Sequence, residues 1–306
     1  MDRDLLAHLP VVLAVARRRG FAAAASELGM SASAVSHAVR QVEHRLGAPL
    51  FARTTRSVAL TEAGAALLAT AARALGEIED GIERIQAAKG RISGRLRLNV
   101  PHLAQAWVMT PVLAEMTRRH PDLEIESFAS DALADIVAEG FDAGIRLGEM
   151  IAEDMVAVRL TPPFPAIIVA APAYLAAKGK PRRLEDLARH NCIGFRQIQG
   201  RGLYRWDVRG EDGREVAIET AGTVIVNDAL FARELALAGI GLAYIFAPLV
   251  AADLAAGRLV RVLPQAAIEE PGLFLYFPKG AAQAPKLRAF IDTAREVLAG
   301  ARKGRR

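Results

Sequence analysis

Phe21-Ala-Ala-Ala-Ala-Ser-Glu-Leu-Gly-Met-Ser-Ala-Ser-Ala-Val-Ser-His-Ala-Val-Arg-Gln-Val-Glu43 is the stretch on which the fold turns. Its spacing predicts two short helices, Phe21–Leu28 and Ser33–Leu46, with Gly29 at the break, where glycine adopts a positive φ without strain. Ala25 is small where the two helices have to approach. Val35, Val39, Val42 and Leu46 recur at helical spacing and form the expected inward face. Ser33, Ser36, His37 and Arg40 then lie on the opposite face. Short donors beside a longer cation suit phosphates and base edges in a major groove.

Working outward, Leu5–Arg18 reads as a preceding helix that holds Pro10, either near its true start or at a kink. Arg17–Arg19 reads as a solvated helix end or as a set of phosphate contacts. Pro49–Arg53 and Ser57–Leu60 read as two β segments around a basic tip, Arg53, Thr54, Thr55 and Arg56, which would act as a wing on the DNA backbone or minor groove. Residues 1–60 hold eight Arg and four acids, a net +4 within a whole-chain +5. Such a basic head suits a polyanion partner.

Thr61 is positioned to cap a long helix running to about Lys89. Its apolar residues Leu68, Ala71, Leu75, Ile78, Ile82 and Ile85 step alternately by three and four, the seam of a coiled coil. Pairing with a second chain is expected there. The competing reading, a helix lying on its own domain, is disfavoured because no neighbouring segment obviously covers it. Gly90–Gly94 reads as a hinge.

Beyond the hinge, strands and helices alternate, which predicts an α/β region of mostly parallel sheets covered by helices. Expected elements include strands at Leu96–Val100, Leu123–Phe128, Phe141–Leu147, Met155–Leu160 and Gly272–Phe277, and helices at Ala132–Glu139, after Asp228 and at Pro285–Leu298. The uncharged run Leu235–Ala252 is close to a membrane span in length, but Gly239, Gly241 and Pro248 break it into helix, buried strand and helix. With 52% hydrophobic and 24% charged residues, no export-type N-terminal region and the single Cys192 in a strand-like context, a soluble cytoplasmic protein with a buried thiol is expected.

The residues Phe21–Glu43, followed by Leu46-Gly-Ala-Pro-Leu-Phe-Ala-Arg53 and Leu60-Thr-Glu-Ala-Gly64, closely resemble the LysR-type transcriptional regulators. Asp135-Ile-Val-Ala-Glu-Gly-Phe-Asp-Ala-Gly-Ile-Arg-Leu-Gly148, Asp154-Met-Val-Ala-Val-Arg-Leu160 and Gly272-Leu-Phe-Leu-Tyr-Phe-Pro278 resemble the effector domain of one large subgroup of that family. The resemblance implies a winged helix-turn-helix at 1–60, a dimerisation helix and hinge at 61–94, and an effector domain at 95–300. That domain would resemble a periplasmic binding protein, with one subdomain at about 95–162 and 267–300 and the other at about 163–266. Arg19-Gly20 departs from the Gly-Ser usual in the family, which costs the second helix a serine cap.

In such folds ligands sit at the carboxyl ends of strands. Those ends give Pro101, His102, Leu103, Ser130, Asp131, Arg146, Gly148, Phe195, Arg196, Asn227 and Asp228 as candidate effector residues. Helix N-termini nearby, with Arg146, Arg196 and Arg201, favour an anionic small molecule. Asp131 and Asp228 read equally as helix caps, and Arg146 as the partner of a nearby acid. The six histidines show no metal-ligand spacing, and no metal, cofactor or catalytic residue is expected. The expectation is a ligand-responsive regulator bound to double-stranded DNA as a homodimer or homotetramer. The alternatives are an architectural DNA-binding protein without an effector and an enzyme fused to a helix-turn-helix, although no nucleophile-elbow, zinc-protease or phosphate-loop motif is present.

Overall fold

The computed structural model describes residues 3–53, 58–87, 91–132, 136–137, 139–148, 151, 155–196 and 202–303. Three helices open the chain: α1 (Arg3–Arg18), α2 (Phe21–Leu28) and α3 (Ala32–Leu46). Pro10 is interior to α1, so the Leu6 carbonyl loses its helical donor. Gly29 ends α2 in the left-handed region at φ 62, as the turn requires. The core of this head joins Val12, Val15, Ala24, Ala25, Val35, Ala38, Val39 and Val42. Leu46 does not pack inward as expected. It is 40% exposed, because it is the last residue of α3 before Gly47, beyond the end of that core.

The strands β1 (Phe51–Arg53) and β2 (Val58–Leu60) pair antiparallel, Phe51 opposite Leu60. Thr61 ties them to α4 (Glu62–Ala87). Its hydroxyl accepts from Gly64 N at 3.0 Å and donates to the Pro49 carbonyl at 2.7 Å. A β-carbon at Gly64 would sit 2.1 Å from the Leu50 carbonyl oxygen, so this close approach requires glycine. The helix α4 packs on α1 and on the C-terminal helix α10 (Pro285–Lys303). Leu68 and Ala71 are buried in their own chain, Leu68 within the head core. The expected seam is corrected accordingly: its first two positions face this chain, and only the later ones are free to face another.

The rest of the chain forms two main sheets. The first has five strands in the order β4 (Leu123–Ala129), β3 (Gly94–Val100), β5 (Ala143–Leu147), β15 (Leu273–Pro278) and β6 (Met155–Arg159). Its core packs against α6 (Thr110–Arg119) and α10. Between β3 and α6 lie α5 (His102–Ala104) and a π-helical turn, Gln105–Met109. In the second sheet β7 (Phe164–Ala170) pairs with β12 (Ala243–Phe246), β13 (Val260–Val262) and β14 (Ile268–Glu270). The helices α7 (Pro172–Lys178), α8 (Ala229–Leu237) and α9 (Ala247–Ala255) flank it, with a side pair of β8 (Gly194–Phe195) and β11 (Ile225–Val226) and a hairpin of β9 (Trp206–Arg209) and β10 (Glu215–Ile218).

Strand sense departs from the sequence reading. Only β3–β4, β3–β5 and β8–β11 are parallel among these strand pairs, while β7 is antiparallel to all three of its partners. The reason is that β7 is buried almost throughout, and a run that is apolar on both faces reads alike in either sense. Two segments cross between the sheets, and they are bonded to each other: Leu273 N donates to Thr161 Oγ1 at 2.9 Å and Leu160 N to the Leu273 carbonyl at 2.8 Å. The expected helix at Ala132–Glu139 is not found where the chain is described, since Ile136, Val137, Glu139 and Gly140 lie in turns. Residues 133–135 and 138 fall outside the described residues, as does Asp154.

Candidate nucleic-acid interface and ligand crevice

The surface of α3 follows from its cap and its period. Ser31 Oγ accepts from Ala34 N at 3.2 Å, fixing the start of the helix. Val35, Ala38, Val39 and Val42 then face the core, while Ser33, His37 and Arg40 are exposed and Ser36 is half-buried. Arg40 Nε donates to the Ser36 carbonyl at 3.2 Å, which lays the guanidinium along the helix. His37, Arg40, Gln41, His44 and Arg45 line one open hollow. The sequence reading missed Gln41, His44 and Arg45 on this face. Their steps of three and four from His37 carry the signal. Glu43 turns the other way and accepts from Leu50 N at 2.8 Å and Phe51 N at 3.3 Å, so α3 holds the base of the β1–β2 hairpin. Of the wing tip, Thr54, Thr55, Arg56 and the side chain of Arg53 lie outside the described residues.

The effector candidates fall into two groups. Pro101, His102, Leu103, Ser130, Asp131, Arg146 and Gly148 lie at the ends of β3, β4 and β5. Phe195, Arg196, Asn227 and Asp228 lie at the ends of β8 and β11, where Arg196 N donates to the Val226 carbonyl at 2.7 Å. Packing of α5 against α8 brings the two groups toward each other. Asp131 is engaged away from its own segment. It reaches across to α5, accepting from His102 N at 2.9 Å and meeting His102 Nδ1 at 3.0 Å. Asp228 caps α8 by accepting from Phe231 N at 2.8 Å. Carboxylates therefore already occupy both helix starts, which removes the helix-terminus argument for an anionic ligand there.

Arg146 is likewise not a free carboxylate receptor. It is 2% exposed and donates to Asn99 Oδ1 at 2.5 Å and to the carbonyls of Ala132 and Ile145 at 2.6 Å each. Among the described residues no acid pairs with it, contrary to the other sequence reading. Burial pushes its pKa down, opposed by Tyr276 and Asp131. Its Nε and Asn99 Nδ2, both buried, find no hydrogen-bond partner among the described residues. The guanidinium acts as a clamp between strand ends. Arg196 is exposed, and Arg201 lies outside the described residues. Cys192 is 1% exposed, and burial pushes its thiol up to about 12, so it stays a protonated, inert group. Among the described residues no His/Cys/Asp/Glu group is arranged to hold a metal ion, and no helix is long and apolar enough to cross a membrane.

Residues 6–65 match the bacterial regulatory helix-turn-helix protein model of the lysR family, and residues 89–299 match the LysR substrate binding domain. The chain belongs to the LysR family. LysR-type proteins are DNA-binding transcriptional regulators with a substrate-binding domain, and mixed α/β structure behind a helical head is their fold. Relatives include the uncharacterized regulator YcaN of Escherichia coli K12, 38% identical over 91% of this chain and 91% of that one. The regulator PgrR of the same organism is 34% identical over 95% of this chain and 97% of its own. The LysR-type regulator CrgA of Neisseria meningitidis superposes with a TM-score of 0.62 at 28% identity, covering 95% of this chain and 98% of CrgA.

Against the LysR pattern, the departure at Arg19-Gly20 has a larger effect than the lost cap. Gly20 caps α2 without a side-chain bond, as expected. Arg19, however, sits at φ 49, in the left-handed region that the usual glycine would occupy without strain. Arg17 and Arg18 are exposed but not simply solvated: both pair with Glu27, at 2.8 and 2.5 Å.

Proposed function

We propose that residues 1–60 read an operator through Ser33, Ser36, His37 and Arg40 on α3, while Arg53, Thr54, Thr55 and Arg56 contact the DNA backbone beside it. The observation that supports this is the exposed polar face of α3, backed by a row of buried valines and extended by Gln41, His44 and Arg45. Residues 61–94 join two chains through Leu75, Ile78, Ile82 and Ile85, and two such dimers form a tetramer through the 95–300 region. The protein works in the cytoplasm. A small-molecule effector binds between a subdomain of about 95–162 plus 267–300 and one of about 163–266, touching His102, Ser130, Asp131, Asn227 and Asp228, and shifts the spacing of the heads. The expected anionic group on that effector loses the support of Arg146 and of the helix starts, which Asp131 and Asp228 hold, and keeps Arg196 and Arg201 as its candidates.

The test is selection of bound duplexes from a randomised DNA pool. His37→Ala and Arg40→Ala should change the preferred sequence, and a uniform loss with unchanged preference would overturn base reading by α3. Arg53→Ala or Arg56→Ala should weaken binding across sequences and flatten its salt dependence.

A further inference from the structure

The paired arginines at the end of α1 are exposed, yet Arg17 also reaches the α/β body. A β-carbon placed on Gly140 would lie 3.1 Å from Arg17 Cδ and 3.6 Å from Arg17 Nη1. It would also lie 3.2 Å from Arg97 Nη1. Gly140 belongs to the loop between β4 and β5, so the head of this chain lies against its own α/β body. Arg97 builds the receiving surface. Its Nη1 donates to the Gly140 carbonyl at 2.8 Å, its Nε to Glu126 at 2.8 Å, and its guanidinium lies 5.1 Å from the Phe141 ring centre. Glu27 holds Arg17 and Arg18 together at this corner of the head.

Charges alternate across the contact. Arg95 is held more firmly protonated, by Glu124 first, with Glu126 and the head's Glu27 adding to the effect. Glu126 is held below the usual carboxylate range, by Arg97 first and against its own burial, with Arg95 and the head's Arg18 adding. Arg18 and Glu27 on the head thus act on Glu126 and Arg95 on the body with opposite signs at longer range, while the direct contact is that of Arg17 with Gly140. Gly140 gives the close approach: it sits at φ 70, and any side chain there would press on Arg17. The packing of α4 on both α1 and α10 holds head and body together at a second place.

We propose that the α1–α2 corner of the head, Arg17, Arg18 and Glu27, docks in cis on the Arg95–Arg97–Glu126 edge and Gly140 of the same chain, fixing the direction in which α3 is presented. Glu27 offsets one of the two positive charges of the docked arginines. The loop that receives them starts at Ser130-Asp131, beside His102, so the docking site and the proposed crevice share one connection. The docking itself stands without that crevice.

Hydrogen exchange on the full-length chain, read over head residues 11–29, tests this without any operator or effector. Gly140→Asn tolerates the left-handed backbone and pushes Arg17 away, so head exchange should quicken about tenfold. Arg95→Glu keeps every ion pair within the head, and it should quicken head exchange about threefold, in line with a surface charge contact. In a Glu27→Gln background the same Arg95→Glu change should have a smaller effect, because the head carboxylate that a glutamate at 95 would repel is gone. Head exchange at the wild-type rate in both body-side variants would overturn the docking. So would an Arg95→Glu effect of equal size with and without Glu27.

Discussion

Along α4 one apolar seam meets two different surroundings. Leu68 and Ala71 are 4% and 5% exposed and sit in the chain's own interior, whereas Ile78, Ile82 and Ile85 are 59%, 53% and 67% exposed. The repeat is continuous across this change. A heptad pattern therefore states that a helix is covered along one stripe, and it does not state by what. Here the first turns are covered by the head. Three isoleucines standing in water on one stripe are what a partner helix would bury, so the proposed coiled-coil pairing belongs to that second half.

This contrast can be broken at either end. The largest effect is expected from Leu68→Ala, which should cost the head about 3 kcal/mol, read as a lower denaturant midpoint by circular dichroism. Ile82→Ala should leave that midpoint nearly unchanged at concentrations where the chain is monomeric, and equal losses at both sites would erase the distinction. Ile78→Glu with Ile82→Glu should raise the dimer dissociation constant roughly a hundredfold in sedimentation equilibrium, about 2.7 kcal/mol. A dimer that survives both changes would place the pairing elsewhere. Within the head that covers Leu68, Arg19→Gly should gain about 1 kcal/mol by relieving the positive φ, measured by thermal unfolding. A gain near zero would mean that the contacts of α1 and α2 absorb the strain. The smallest effect is expected from Gly20→Ser, a few tenths of a kcal/mol from a restored helix cap, visible in the same assay.

What was legible in the sequence was short-range. The limits of α2, the left-handed Gly29, the buried Val35, Val39 and Val42 and the cap at Thr61 all follow from neighbours within a few positions. What was not legible depended on residues far apart in the chain. The burial of Leu68 depends on the head folding back over α4. The antiparallel sense of β7 depends on β12, β13 and β14, which arrive more than seventy residues later. Asp131 read as a cap for the residues after it, but it is spent on His102, 29 positions earlier. Arg146 read as a receptor for a carboxylate, because sequence gives the type of a side chain and not its exposure. Once Asn99 and Ala132 close around it, it is structural.

The contact between Gly64 and the Leu50 carbonyl has a mechanical meaning. Together with the two bonds of Thr61, it leaves no slack between the first turn of α4 and the base of the β1–β2 hairpin. Glu43 fastens the same base to α3. Rotating α4 about its own axis would therefore sweep the hairpin and α3 through the same angle as one body. A twist of a few degrees applied at the far end of a helix of 26 residues would arrive at the DNA-facing side as a change of aim, with no joint in between to take it up.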